Sequence, residues 1–236
     1  MPDLSKRSYQ KELLDQPDIP FEDIKRNMQE LEFINRWLGG HKITLQGLRS
    51  LLKLIALKEN IQIVEIGCGG SDNLKEIKKY CEKKSISVQL TGIDINPDCI
   101  EFAKSKKENE GIELIISDYR EVCFDKKPSI IFSSLFCHHF TDEELIEQWR
   151  WMSKNATYGF LINDLHRNQL AYYSIKWLTR IFSKSYLVKN DAPLSVKRGF
   201  RRKEIKKIMG SAGLIHFHVH WKWAFRWLII AKENPD

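Results

Sequence analysis

The sequence predicts an α/β protein. Its core is a doubly wound, seven-stranded sheet, parallel apart from an antiparallel last strand, with helices ahead of it and a helix inserted after the fifth strand. Three observations carry that expectation. Five short β-branched runs are bounded by turn residues, helical segments separate them, and the chain closes on two apolar runs with too little between them for a crossover helix. At 236 residues, 42% of them hydrophobic, the chain can bury one core, and no repeat or linker divides it.

Taken in order, Ile24, Met28, Leu31, Ile34 and Leu38 recur at steps of three and four, which predicts an amphipathic helix from about Pro20, ended by Gly39-Gly40. A second helix is expected from Thr44 to Glu59. The period then changes: "IQIVEI", "SVQLTGIDI", "IELIISD", "PSIIFSSL" and "YGFLIND" read as buried strands. Between them lie helical segments at 72–84, 97–109 and 141–154, the last opened by a capping box of Thr141 and Glu144. After the fifth strand an aromatic-rich helix is expected over 168–185, a loop over 186–199, and a basic helix over 201–211 stopped by Gly213. "LIHFHVHWKW" and "AFRWLIIAK" then form an antiparallel hairpin. The expected division is an N-terminal helical extension or lid over 1–44 and a main domain over 45–236, with an insertion at about 165–200.

Composition narrows the function classes. No apolar run approaches the ~18 residues of a membrane span, and the N-terminus carries charge where a signal peptide needs an apolar stretch, so a cytoplasmic protein is expected. Five cysteines, odd in number and without a CxxC pair, point to reduced thiols mostly in the core rather than to a zinc or redox motif. His216, His218 and His220 alternate along one strand without an acidic or cysteine neighbour, so they read as an outward face and no metal is expected. The net charge of +7 fits a nucleic acid, an anionic lipid surface or an acidic substrate, and equally a lysine-rich solubility surface.

The stretch "VEIGCGGSD", Val64 to Asp72, sits where the first strand turns into a helix. In doubly wound sheets ligands bind at the carboxyl ends of the strands near the switch in strand order, and glycine there lets backbone approach a ligand at a helix N-terminus. Tight strand-to-helix turns need glycine on steric grounds as well. Acids close the next two strands: Asp94 in "GIDINP", placed to take both ribose hydroxyls, and Asp118 in "IISDYREV", placed to accept from an adenine amino group with Tyr119 against the ring. Each acid also has a plainer reading as a helix cap or turn former. A dinucleotide site competes through Asp94, but "GCGGSD" has Asp72 where GxGxxG needs its last glycine.

With these residues the chain resembles the class I S-adenosylmethionine-dependent methyltransferases, whose fold is Rossmann-like, over about residues 45–232. "VEIGCGG" looks like the family's first motif. The resemblance implies S-adenosyl-L-methionine as cofactor, held by Glu65, Gly67, Cys68, Gly69, Asp94, Ile95, Asp118, Tyr119 and Leu135. Ser71 departs from the pattern, standing where the family usually has a third glycine. "ELEFINRWLGGHKITLQGL", "NDLHRNQLAYYSI" and "NDAPLSVKRGF" are similar in plan to a bacterial branch acting on quinone, phenolic or polyketide acceptors, which implies O- or C-methylation of a small, fairly apolar aromatic molecule.

Such an acceptor must be aligned with the methyl and, where needed, relieved of a proton. The fourth and fifth strand ends supply candidates: His138, His139, Asp164 and His166 for catalysis, with His139 or His166 as base and Asp164 its orienter, and Arg167 for an acidic group on the substrate. Packing and helix entry are the plainer roles of the histidine pair, and capping that of Asp164. Leu170, Tyr173, Trp177, Leu178, Ile181 and Phe182 share a helical face, either core or a lid over an apolar pocket in which Tyr173 and Trp177 touch substrate. Phe33 and Trp37 close the mouth from the other side, whereas Trp149, Trp151, Trp221, Trp223 and Trp227 are assigned to packing.

Two other functions stay open. The run "KRGFRRKEIKK", Lys197 to Lys207, suggests a nucleic-acid methyltransferase, against which stand the lack of an Asn/Asp-Pro-Pro-aromatic motif and of a Pro-Cys nucleophile. A non-catalytic cofactor-binding protein is the other. A small molecule is the expected partner rather than nucleic acid. Peripheral contact with anionic lipid is allowed by the basic run, and the oligomeric state is left open.

Overall fold

The computed structural model describes residues 2–16, 18–55 and 60–232. Its strands are β1 (Ile61–Ile66), β2 (Val88–Asp94), β3 (Glu113–Ile116), β4 (Ile130–Ser134), β5 (Gly159–Leu165), β6 (Phe217–Lys222) and β7 (Arg226–Lys232), each within the run predicted as a strand except β5, which extends one residue past its run to Leu165. They form one sheet in the order β3-β2-β1-β4-β5-β7-β6. β1 to β5 pair in parallel, and β7 runs antiparallel between β5 and β6. The order reverses between β1 and β4, because the chain builds outward through β2 and β3 and then returns to the other side of β1. That reversal opens a crevice above the carboxyl ends of β1 and β4.

Helices cover both faces, as parallel strands buried on two sides require. On one side lie α2 (Gly40–Leu52), α3 (Asp72–Lys83) and α4 (Pro97–Lys104), where Leu48, Leu51, Leu74, Ile77 and Ile100 pack on Ile63, Ile130 and Phe132. On the other lie α5 (Asp142–Asn155) and α8 (Arg202–Ser211), with Trp149, Met152, Ile205 and Ile208 against Phe160, Ile162 and Phe200. The predicted capping box opens α5: Thr141 Oγ1 accepts from the Glu144 amide at 3.2 Å, and the Glu144 carboxylate accepts from the Thr141 amide at 2.7 Å. Three helices remain above the carboxyl ends: α1 (Phe21–Trp37), α6 (Gln169–Phe182) and α7 (Tyr186–Arg198). Among the described residues no helix is long and apolar enough to cross a membrane.

Several boundaries differ from expectation. Only Gly39, at φ +75°, breaks the first helix; Gly40 already opens α2, where a Cβ would lie 1.7 Å from Asn35 Oδ1. The boundary expected at residue 44 therefore falls inside α2, a helix that packs on β5 and β7. The end predicted for that helix, 56–59, lies outside the described residues. α4 stops at Lys104, and a short 3-10 turn over Lys107–Asn109 follows. The loop expected over 186–199 is the helix α7. Pro193 lies inside it, Ser185 caps it, and Leu187, Val188, Asp191, Leu194 and Arg198 form its buried face at helical spacing. Trp221 and Trp223, expected to pack, are exposed, while Trp149 and Trp227 are buried.

Candidate active site

The glycine turn takes its shape from its neighbours. The amides of Gly67 and Cys68 donate to the Ile93 carbonyl at 2.8 and 3.1 Å, tying the end of β1 to β2. Gly67 sits at φ +65°, and a Cβ there would fall 2.2 Å from the Phe136 ring. Ser71 adopts φ +61°, a conformation glycine takes freely, and its hydroxyl is buried without a partner. Asp94 braces the turn: one oxygen accepts from the Gly69 amide at 2.8 Å, the other from the Asn96 amide at 2.9 Å. Burial raises the Asp94 carboxyl, and raises Glu65 further with a contribution from Asp72.

Several buried polar atoms have no partner among the described residues: Glu65 Oε2, Asn73 Oδ1, Asn35 Oδ1 and Ser134 Oγ, together with Nε and Nη1 of Arg226. All these residues line one cavity of about 1350 Å³. Burial lowers the Arg226 guanidinium to about 10, with Asp164 and Asp72 opposing. Unmatched buried polar atoms are costly, and a ligand with complementary groups would satisfy them. A guanidinium beside carboxylate and amide acceptors complements an amino-acid zwitterion: Arg226 for the carboxylate, Glu65 and the Asn oxygens for the ammonium.

The same cavity holds the histidine pair, on a 3-10 turn over Cys137–His139 after β4. His138 Nδ1 is 2.8 Å from Oδ1 of Asp164, which β5 holds fully buried, and the His138 amide donates to Oδ2 of that carboxylate at 3.2 Å. The second ring nitrogen of His138 faces Glu12 Oε1 at 3.5 Å, where Ser195 Oγ also donates at 2.7 Å. His139 has Nδ1 3.2 Å from Asp15 and Nε2 3.7 Å from Glu12, with the two imidazoles 4.5 Å apart. Burial works to lower His138, but Asp164 and Glu12 override it and raise the group to about 9. Glu12 and Asp15 are lowered: against the cost of burial, His138 and His139 hold Glu12 ionised, and His139 does the same for Asp15. Glu12, His138 and His139 bring ligand atoms within 4.8 Å of one another, close enough that they could hold a divalent cation.

Of the residues expected from sequence, Glu65, Gly67, Cys68, Gly69, Asp94, Ile95, Leu135, His138 and His139 line this cavity, Leu135 at φ +54°. Asp164 stands behind His138 rather than His139 or His166. The remainder lie elsewhere. Asp118 caps the turn after β3 and is paired with Arg120, and the Tyr119 ring is buried 5.0 Å from Trp151, so it offers no open face to a base. β5 ends at Leu165, and the chain then bridges Phe200 at His166, which carries the next two side chains away. His166 accepts from Trp221 Nε1 at 3.2 Å. Arg167 is buried, paired with Glu204 and bonded to the Leu4 and Gly199 carbonyls, so it fastens the chain instead of binding substrate. On α6, Ala171, Ser174, Ile175 and Leu178 face the cavity; Tyr173 and Trp177 point outward.

Glu12, Asp15, Ser195, Arg198 and Arg226 escaped the sequence analysis. An isolated arginine in the apolar run "AFRWLIIAK" was a legible signal for Arg226, and Arg198 was hidden in the basic run. The N-terminal segment has no periodicity to read.

Residues 63–155 match the family described as a methyltransferase domain. With the sheet order and the turn above, that match sets a methyltransferase domain in a Rossmann-like methyltransferase fold. No curated protein sequence matches the chain. Among solved structures it is similar to the plantazolicin methyltransferase BpumL in complex with SAH (TM-score 0.66, 16% identity, 94% of this chain and 92% of that one). It is also similar to magnesium protoporphyrin IX methyltransferase from Synechocystis with bound SAH (0.54, 13%, 86% and 87%). Human N-acetylserotonin methyltransferase in complex with SAM is a third (0.60, 18%, 91% of this chain and 57% of that one).

Proposed function

We propose that this enzyme methylates a hydroxyl or an activated carbon of a small, mostly apolar aromatic acceptor of phenolic, quinone-like or polyketide type. The carrying observation is one cavity with two unlike regions. The glycine turn, Asp94, Glu65 and Arg226 border one, and the His138–His139 pair with Glu12 borders the other, among apolar residues including Leu14, Ile19, Leu165, Ile175 and Leu178. When bound, S-adenosyl-L-methionine supplies an electrophilic methyl. Arg226 and Glu65 would hold its amino-acid end and Asp94 its ribose.

The chain's own residues then orient the acceptor and take its proton. His138, raised to about 9, stays protonated at neutral pH and is unsuited to that task. His139 is the more accessible of the pair, and Glu12 and Asp15 stand ready to offset the charge it gains. His139 is therefore the base. A nucleic-acid acceptor is disfavoured because the basic run is partly structural: Arg198 is buried with Nε donating to the His138 carbonyl, and Arg201 and Arg202 bond the Leu4 and Val219 carbonyls.

Calorimetry with S-adenosylhomocysteine, then methyl transfer to a panel of phenolic acceptors, tests this. Wild type should bind and Asp94→Ala should not. His139→Gln should keep binding and lose about 100-fold or more in kcat. A wild type that fails to bind, or a His139→Gln variant with full activity, overturns the reading.

A further inference from the structure

We propose that the rim of this cavity is a docking surface for an anionic lipid bilayer. Trp37, Trp177 and Trp223, from α1, α6 and the β6–β7 turn, are 75%, 62% and 70% exposed. Each belongs to an element that also lines the cavity: Leu38 beside Trp37, Leu178 beside Trp177, and Trp223 itself. Phe33, Ile181 and Phe182 extend the patch and are more than half exposed. Large apolar side chains exposed together at the rim of one cavity mark an interaction site.

The arrangement along α6 says which kind. Tyr173, Trp177 and Ile181 follow one another at steps of four along one edge, and Ala171, Ser174, Ile175 and Leu178 occupy the adjoining edge toward the cavity. The outer apolar stripe therefore adjoins the cavity lining, with Ser174 the polar residue at the join. From Gln169 to Lys189 the chain carries four basic residues and no acidic one. Lys176, Arg180 and Lys184 are exposed and, among the described residues, form no ion pair; Arg36 is exposed next to Trp37. Tryptophan and aliphatic side chains flanked by lysine and arginine are the composition of helices that lie in a membrane interface, with the long basic chains reaching the headgroups. A second copy of this chain is the weaker candidate, because pairing two such faces would juxtapose like charge.

The docking itself rests on exposure and charge alone. What it would serve rests on the proposed function, since an apolar acceptor dissolved in the bilayer could pass along the α6 stripe to the cavity. The test is sedimentation of the full chain with vesicles of phosphatidylcholine, with and without phosphatidylglycerol, read together with tryptophan fluorescence. Anionic vesicles should pellet the protein with a blue-shifted spectrum, and added salt should weaken the binding. Trp37→Ser with Ile181→Ser should weaken it by about tenfold or more, and so should the exposed charge reversal Lys176→Glu with Arg180→Glu. Calorimetric affinity for S-adenosylhomocysteine should stay unchanged in both variants, which separates loss of docking from loss of fold or cofactor site. The proposal fails if the chain stays in the supernatant with anionic vesicles, or if both variants bind as wild type does. It also fails if sedimentation velocity finds a dimer that Trp37→Ser with Ile181→Ser dissociates, which would assign the face to a second copy.

Discussion

At the scale of the residue, two side chains bear energetic costs that point in different directions. Ser71 combines a left-handed backbone with a buried, unpartnered hydroxyl. Glycine removes both costs and adds back the entropy of a freer unfolded chain, so Ser71→Gly should stabilise the fold by about 1 kcal/mol in urea unfolding. A destabilised variant would mean that the hydroxyl has a partner in solution. Arg226 is the opposite case, a buried cation with two donors left over. Arg226→Met keeps the apolar stem and removes the charge, so stability should hold or rise, whereas affinity for S-adenosylhomocysteine should fall about 10- to 100-fold, the effect of one lost charged hydrogen bond. Calorimetry and unfolding on the same sample separate these signs; equal losses in both would make Arg226 a plain structural residue.

At the scale of the element, the histidine end of the cavity rests on a strap that the sequence did not reveal. The N-terminal segment lies on α7: Ser8 N donates to the Lys197 carbonyl at 3.1 Å, and the amides of Leu13 and Leu14 donate to Asp191 at 2.9 and 3.0 Å. These bonds set the short turn Leu13–Asp15 between Glu12 and Asp15, the two acids that flank His139. Asp191→Ala removes both acceptors at once. It should cost about 1 to 3 kcal/mol of stability and reduce kcat by roughly tenfold or more, with affinity for S-adenosylhomocysteine unchanged because the glycine turn is built elsewhere. A fall in affinity equal to that in kcat would refute the strap. The strands were legible because each is a local pattern bounded by its own turn residues. α7 was not: Pro193 reads as a loop signal, and its apolar face is interrupted by Asp191 and Arg198, whose partners lie far away in the sequence.

At the scale of the whole molecule, the switch in strand order brings together pieces that no local pattern connects. Glu12 comes from the N-terminal strap, His138 from the turn after β4, Asp164 from β5 and Arg198 from the end of α7. The sequence supplied the histidines and Asp164 as candidates but could not pair them, since pairing is a property of the sheet. The assembled network makes a global prediction about pH. His138 is raised from an ordinary value near 6.5 to about 9, so its contribution is complete below the unfolded value and disappears as pH climbs through 9. Glu12 and Asp164 are lowered, so theirs is complete above the ordinary carboxylate range and disappears as pH falls below it. The stability contributed by this network should thus peak between about pH 5 and 6.5 and decline on both sides. Between pH 6.5 and 9 the loss is on the order of 3 kcal/mol, the free energy of one proton bound in the folded state and released in the unfolded one. Urea unfolding of wild type and His138→Gln at pH 6 and pH 9 measures it by difference, which cancels groups that titrate alike in both proteins. Wild type should lose most of its advantage over the variant at pH 9. If the difference is the same at both pH values, His138 is neutral in the fold, and the choice of His139 as base loses its main support.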